Sequence, residues 1–425
     1  MKNMKNLLVL MLAIAVVLTV VNGIAAAKEL KVPKDYATIQ LAIGAAQPGD
    51  KVKVEKGTYL GQVLINKSIT VEGSGADKTI IDGQNKTNLT SVGQVRITAA
   101  GDVEFSGFTI VNAGRPGAYP ATRVAIYAQS ASSTATYNIH HAVLIGSNDP
   151  NDDQDYGFYS NSGKETLTFT HNEISKTGAN AILLELHSGP TDFSHNTFDA
   201  GAYGADAYFN MNYGGTDITS PQKVSHNKID MGTGGPFDSA HRATGVSFVA
   251  GFTGTPGGFT DVQIDHNDFD NLQPYRRGAG LWNNLPYPAY RNNIPAVIEH
   301  NKVSGDGGQF GIDTVGYFAS VQINHNEING VDTGISLRTW NNQSAAGMTI
   351  SDNHIKAALG LGLEAGSASN QINQNHVDAT GPFAVVLNNG TFYNIVTDNH
   401  LKALSAKGDT SVKNLGVNNV VKDNK

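Results

Sequence analysis

The chain contains no cysteine, which excludes disulfides, thiolate metal sites and a lipid anchor attached through sulfur. A protein of 425 residues without such staples needs a large core of its own. Proline is scarce at 14 residues whereas glycine reaches 47, a balance that speaks for many tight turns and against a proline-rich linker. Positive charge is in short supply: 30 Lys and Arg stand against 37 Asp and Glu, a net charge of −7. A nucleic-acid binder needs a basic face, so that class is excluded. Long apolar runs are missing after residue 21, which leaves no later segment able to span a membrane.

The single apolar run, Leu7 to Val21, follows Lys2 and Lys5 and precedes Ala25-Ala26-Ala27. Basic start, short apolar stretch and small residues before Lys28 are the parts of a secretory signal, expected over residues 1–27. The product, residues 28–425, is then secreted, periplasmic or on the cell surface, with no membrane span after cleavage.

What the chain does have is a repeat. Nine cassettes between residues 167 and 401 place alternating apolar residues before a polar pair with Asn, then one more apolar residue. The core residues are Asn172, Asn196, Asn227, Asn267, Asn301, Asn326, Asn353, Asn375 and Asn399, spaced by 24, 31, 40, 34, 25, 27, 22 and 24. A period near two dozen marks a solenoid in which each unit buries its apolar face against its neighbours. Further alternating runs follow six of the Asn residues: 181–186, 207–211, 245–249, 334–337, 360–363 and 384–387. Period two means strands, and the order strand, Asn turn, strand, turn, Gly-led strand, loop predicts an all-β, right-handed parallel β-helix over about residues 30–415. A leucine-rich repeat is the competing solenoid, but β-branched residues dominate here and no segment between cassettes has helical periodicity.

Asn suits the bend because it tolerates left-handed backbone and can satisfy turn groups through its side chain. Six of the nine are preceded by His and the last three are followed by one. Equivalent positions in successive coils lie about 4.8 Å apart, so these imidazoles form a row. The row is read as a turn ladder, with metal binding as its alternative.

The stretch from Tyr36-Ala-Thr-Ile-Gln to Gln47-Pro-Gly-Asp50 predicts a capping helix over Asp35–Ala46, with Asp35 as cap and Tyr36, Ile39, Ala42 and Ile43 facing inward. With Lys51-Val-Lys-Val54, Gly57-Thr-Tyr59, Ile80-Ile-Asp-Gly83 and Phe105-Ser-Gly-Phe-Thr-Ile110, it resembles the opening of exported pectin-lyase-like β-helix proteins. That superfamily includes pectin methylesterases, polysaccharide lyases, polygalacturonases, uronate epimerases and the accessory β-helix of nitrous-oxide reductase maturation. The resemblance implies the architecture for nearly the whole mature chain and does not specify an activity.

Spacings of 31, 40 and 34 imply loop insertions around residues 200–320, whose side-by-side walls would make a groove. Both tryptophans and all five arginines after residue 200 lie there or just beyond. Aromatic faces stack on sugars, and guanidinium forks pair with uronate carboxylates. The expected contacts are Arg276, Arg277, Trp282, Tyr290, Arg242 and Tyr208, and the expected partner is an acidic polysaccharide. If the protein cleaves it, elimination of the lyase kind is expected. A non-catalytic structural or surface protein of the cell envelope, contacting another envelope component, is the other reading. No residue is singled out as catalytic. Tyr203-Gly-Ala-Asp206-Ala-Tyr208 shares the Tyr and Asp spacing of the uronate epimerase motif, with Tyr where that motif has its catalytic His.

No cofactor is required by any motif. The acidic run at Asp149, Asp152, Asp153 and Asp155 is a weak candidate for Ca2+, against the simpler reading of a solvated turn. Sequons at Asn66, Asn85, Asn88, Asn342 and Asn389 permit glycosylation in a host equipped for it.

Overall fold

The computed structural model describes residues 26–425 other than 119–120, 148–151, 153, 200–206, 214–217, 232–243, 251–258, 260, 284–295 and 340–344. Strands wind in repeated coils and pair in parallel from Glu29–Val32 to Val420–Lys422. The first sheet runs through Thr166–Thr170, Thr191–Ser194, Gln222–Ser225, Val262–Asp265 and Ala296–Glu299. After the Asn turn the chain enters a second sheet at Glu173–Ser175, Thr197–Asp199, Lys228–Asp230 and Asp268–Leu272. It then enters a third at Asp155–Asn161, Ile182–Glu185, Ala207–Tyr213, Thr244–Ala250 and Arg277–Asn283. The second and third merge in the long strands Lys302–Val315, Glu327–Arg338 and His354–Leu363. This is the parallel β-helix that the repeat predicts.

Coil length equals Asn spacing. Bonded Asn partners are offset by 24, 31, 40, 34, 25, 27, 22 and 24 residues. All nine Asn are buried. Each donates Nδ2 to the Oδ1 of the next, and the column ends on Asn424, which donates to Asp409. A shorter column, Asn370 to Asn394 to Asn419, lines another bend of the last coils.

The residue in left-handed backbone is not the Asn but the one before it. His171, His195, His226, His266, His300 and His325 have φ between 52° and 60°, and Asp352, Gln374 and Asp398 take the same place later. The bend and the ladder are thus divided between two neighbours, which corrects the expectation that Asn does both. The imidazoles stack from His141 to His325 at 4.6–5.2 Å. A second stack joins His354, His376 and His400.

The Gly near the start of several third-sheet strands has a packing cause. A Cβ on Gly245, Gly311, Gly334 or Gly360 would lie 2.2–2.5 Å from Phe269, Ile328, Ile355 or Val377 inside the coil. The core is a continuous column of Val, Ile, Leu and Phe. Phe158, Phe169, Phe193, Phe209 and Phe248 pass ring contacts between coils at 4.8–6.0 Å.

The cap helix spans Ile39–Ala45 and buries Ile39, Ala42 and Ile43. Its N-cap is Thr38, whose side chain accepts from Leu41 N, rather than Asp35. Asp35 is used one turn earlier, accepting from Lys31 N at 3.0 Å. Lys67 Nζ donates to the carbonyls of Ile43, Gly44 and Ala46, closing the helix C-terminus. No helix of the described residues is long and apolar enough to cross a membrane.

Candidate functional site

Parallel pairing puts every second residue of the third sheet on its outer face, in rows across the coils. One row runs Arg96, Tyr127, Tyr159, Leu183, Asn210, Ser247, Gly280, Asp313 and Ser336. Two residues further along each strand lie Asn161, Glu185, Asn212, Val249, Trp282, Val315 and Arg338. Two clusters of rings and charges stand on these rows.

The first cluster belongs to the early coils. The Arg96 guanidinium lies 4.4 Å over the Tyr127 ring, which meets Tyr159 edge-on at 5.5 Å. Tyr159 Oη donates to Glu185 Oε2 at 2.5 Å, and Asn161 Nδ2 donates to the same oxygen at 3.1 Å. Burial, followed by the bond to Glu185, pushes the Tyr159 phenol well above its usual range, so it is a hydrogen-bond donor and a poor base. The sequence reading missed this cluster. Its signal is the paired strands Arg123–Ala128 and Asp155–Asn161, whose Tyr residues fall in register.

The second cluster begins in the last coil with an insertion, at Arg277 and Trp282, and extends over the two coils that follow. Asp313 is fully buried and binds two arginines. Arg338 grips it with both ends of its fork, Nε to Oδ1 at 2.8 Å and Nη2 to Oδ2 at 2.6 Å, and Arg277 Nη1 lies 3.4 Å from Oδ2. Phe310 lies beneath both guanidiniums, at 4.9 Å from Arg338 and 5.5 Å from Arg277. The half-buried Trp282 lies 5.4 Å from Arg277, and its indole occupies the space that the missing side chain of Gly280 leaves.

Of the expected contacts, Arg277 and Trp282 come together on this face. Arg276 does not join them. It is 1% exposed, inside the turn where its amide donates to Gln273 O, so it cannot meet a polymer from solvent. Adjacent arginines read alike in sequence, but Arg276 lies in the turn before the strand that Arg277 opens; Arg277 is also buried, at 6% exposure, and is spent on Asp313. Arg242, Tyr290 and the side chain of Tyr208 lie outside the described residues.

In the acidic run, Asp152 is buried and held by Arg115 and Arg123, and Asp155 accepts from Ser147 and Gly178. Asp149 and Asp153 lie outside the described residues. A carboxylate already bonded to two guanidiniums is a poor start for a Ca2+ cage, and the solvated turn is corrected too, since both described carboxylates are buried.

Beneath the first cluster a polar group sits inside the coils. His187 and Ser160 are fully buried, with Ser160 Oγ 3.3 Å from His187 Nδ1, while Nε2 has no bonding partner. Burial pushes the imidazole down to about 4 from its ordinary 6.5, with a bond to the Glu165 backbone pulling the other way. The folded state therefore binds fewer protons than the unfolded chain between these values. This contribution to stability is complete above pH 6.5 and is lost as pH falls toward 4, by about 3 kcal/mol. Glu165, raised by burial, acts in the opposite sense, favouring the fold at low pH and losing that effect as pH rises through its folded-state value. Urea unfolding of the parent and His187→Gln from pH 7.5 to 4.5 separates the two. The parent's midpoint should fall more steeply, and parallel curves would contradict this account.

No protein-family model and no curated protein matches the chain. Solved structures do. The catalytic domain of Agl-KA superposes with a TM-score of 0.52 at 14% identity, over 94% of this chain and 69% of that one. The Dettilon tailspike protein gives 0.48 at 14% identity, over 92% and 68%. The A-module of the Azotobacter vinelandii mannuronan C-5 epimerase AlgE6 gives 0.38 at 14% identity, over 91% and 93%. Identities this low speak for architecture alone, and the architecture of this chain is the parallel β-helix.

Proposed function

We propose that this is an exported protein that binds or acts on an acidic polysaccharide laid along the outer face of the third sheet. The observation that carries the reading is the cluster of Arg277, Trp282, Phe310 and Arg338 around Asp313. Two guanidiniums face one buried carboxylate beside an accessible indole, and the Glu364 carboxylate also acts on Arg338. An indole stacks on the apolar face of a sugar, and a guanidinium pairs with its carboxylate. Coils repeating about every 4.8 Å offer a regular polymer a regular surface. Tyr208, Arg242 and Tyr290 are proposed to extend the contact on sequence grounds.

If the protein cleaves its ligand, the expected chemistry is elimination next to a uronate carboxylate, with a guanidinium neutralising that group. The test uses affinity electrophoresis in polygalacturonate and alginate, with the absorbance of unsaturated products followed in parallel. Trp282→Ala should weaken retention by about fivefold or more. Arg338→Gln should weaken it by a margin that shrinks with salt, since exposed charge is screened over about 8 Å at physiological ionic strength. Failure of the parent to be retained by any acidic glycan would leave the envelope-protein reading standing.

A further inference from the structure

The His row is uniform in geometry but not in chemistry. At most of its rungs the residue before the His is neutral: Thr170 before His171, Ser194 before His195, Ser225 before His226. At the next two rungs that residue is acidic: Asp265, in register with Ser225 on the adjacent strand, and Glu299, whose Oε2 lies 4.0 Å from His300 Nδ1. His266 Nδ1 lies 2.8 Å from Asp265 Oδ2. His226 and His266 stack at 4.6 Å with their planes 3° apart. The ligand-capable atoms of His226, Asp265 and His266 all lie within 4.8 Å of one another, the one such trio among the described residues.

Two further observations separate this rung from a plain turn ladder. Asp265 is 4% exposed, and its Oδ1 has no hydrogen-bond partner. The Ser225 hydroxyl beside it is buried and equally without a partner. A buried carboxylate oxygen with an empty coordination sphere costs free energy unless something binds it. Both imidazoles are exposed, so their edges are open to an ion from solvent.

We propose that His226, Asp265 and His266 form a site for a divalent transition-metal ion of the zinc class, independent of the glycan face. Two imidazoles and a carboxylate suit borderline ions such as Zn2+, Ni2+ or Cu2+ better than Ca2+ or Mg2+, which prefer all-oxygen shells. Zn–N and Zn–O bonds of about 2.0–2.2 Å place ligand atoms about 3.5 Å apart. Rotation of the two exposed rings about their side-chain bonds closes the remaining gap, and water fills the fourth position.

The test is calorimetric titration of the full, untagged mature protein with Zn2+ alone at pH 7.5, folding being checked by circular dichroism. One equivalent should bind saturably. Asp265→Asn and His266→Asn should each weaken binding by about tenfold or more. Asn is chosen at 266 because it accepts the φ of 52° found there. His171→Asn, in the same row without a carboxylate, should leave binding unchanged. If Asp265→Asn fails to fold, His266→Asn against His171→Asn decides alone. The absence of saturable binding would overturn the site, and so would an equal loss in His171→Asn, which would mean that the row binds ions generally.

Discussion

Replacing Asn267 by alanine should destabilise the protein by about 3 kcal/mol or more, because it removes four buried hydrogen bonds at once and takes from Asn227 N and Val224 O their side-chain partner. Oδ1 of Asn267 accepts from both the backbone N and the side-chain Nδ2 of Asn227, at 3.1 and 2.9 Å. Its Nδ2 donates to Val224 O at 2.9 Å and to Asn301 Oδ1 at 3.0 Å. Asn227 Nδ2 keeps Phe193 O and Asn301 Oδ1 keeps the Asn267 amide, while each of the two groups that lose their side-chain partner in this buried site costs about 1–3 kcal/mol. His266 next door bears a different burden. His266→Asn should stay within about 0.5 kcal/mol of the parent because both residues tolerate the left-handed backbone, whereas His266→Ala should cost about 1 kcal/mol. Urea denaturation of the three variants measures this order. An Asn267→Ala protein as stable as His266→Ala would mean that the ladder is decoration.

The contrast shows what could be read in advance. Coil lengths were legible because a buried Asn must find its counterpart one turn away, so sequence spacing and strand register are the same number. The division of roles between His and Asn was not legible, since both residue types tolerate φ > 0 and only the buried one can ladder. The short column Asn370, Asn394, Asn419 went unread because no His accompanies it and it ends after three rungs. Thr38 displaced Asp35 as helix cap because Asp35 is already bonded to Lys31 in the preceding turn. At the candidate site, the placement of Arg277 and Trp282 in the coils with insertions was legible. The burial of Arg276 was not, because it lies in the turn before the strand that Arg277 opens. Nor was the facing of Tyr127 by Tyr159, which depends on which way each strand alternates once the loops between coils differ in length.

Asp313→Ala should produce the other large effect, a loss of about 3–5 kcal/mol, through charge rather than through backbone satisfaction. The carboxylate is fully buried and accepts the fork of Arg338 while facing Arg277, whose side chain is 7% exposed. Its removal leaves two guanidiniums over one Phe310 ring without the buried carboxylate they share. The cation–π contacts that remain, at 4.9 and 5.5 Å, are worth about 1–2 kcal/mol each and do not offset that loss. The double variant Asp313→Ala with Arg338→Met should recover about half of the stability, because one of the two cations leaves with its partner. Binding should respond in the opposite order. If the cluster's guanidiniums attract an acidic glycan, Asp313→Ala measured below its unfolding temperature should hold polygalacturonate more tightly than the parent, and the double variant less tightly. A single variant that loses stability without gaining retention would make this triad a structural clamp between coils. The glycan contact would then have to rest on Trp282 and on the early cluster of Tyr127 and Tyr159.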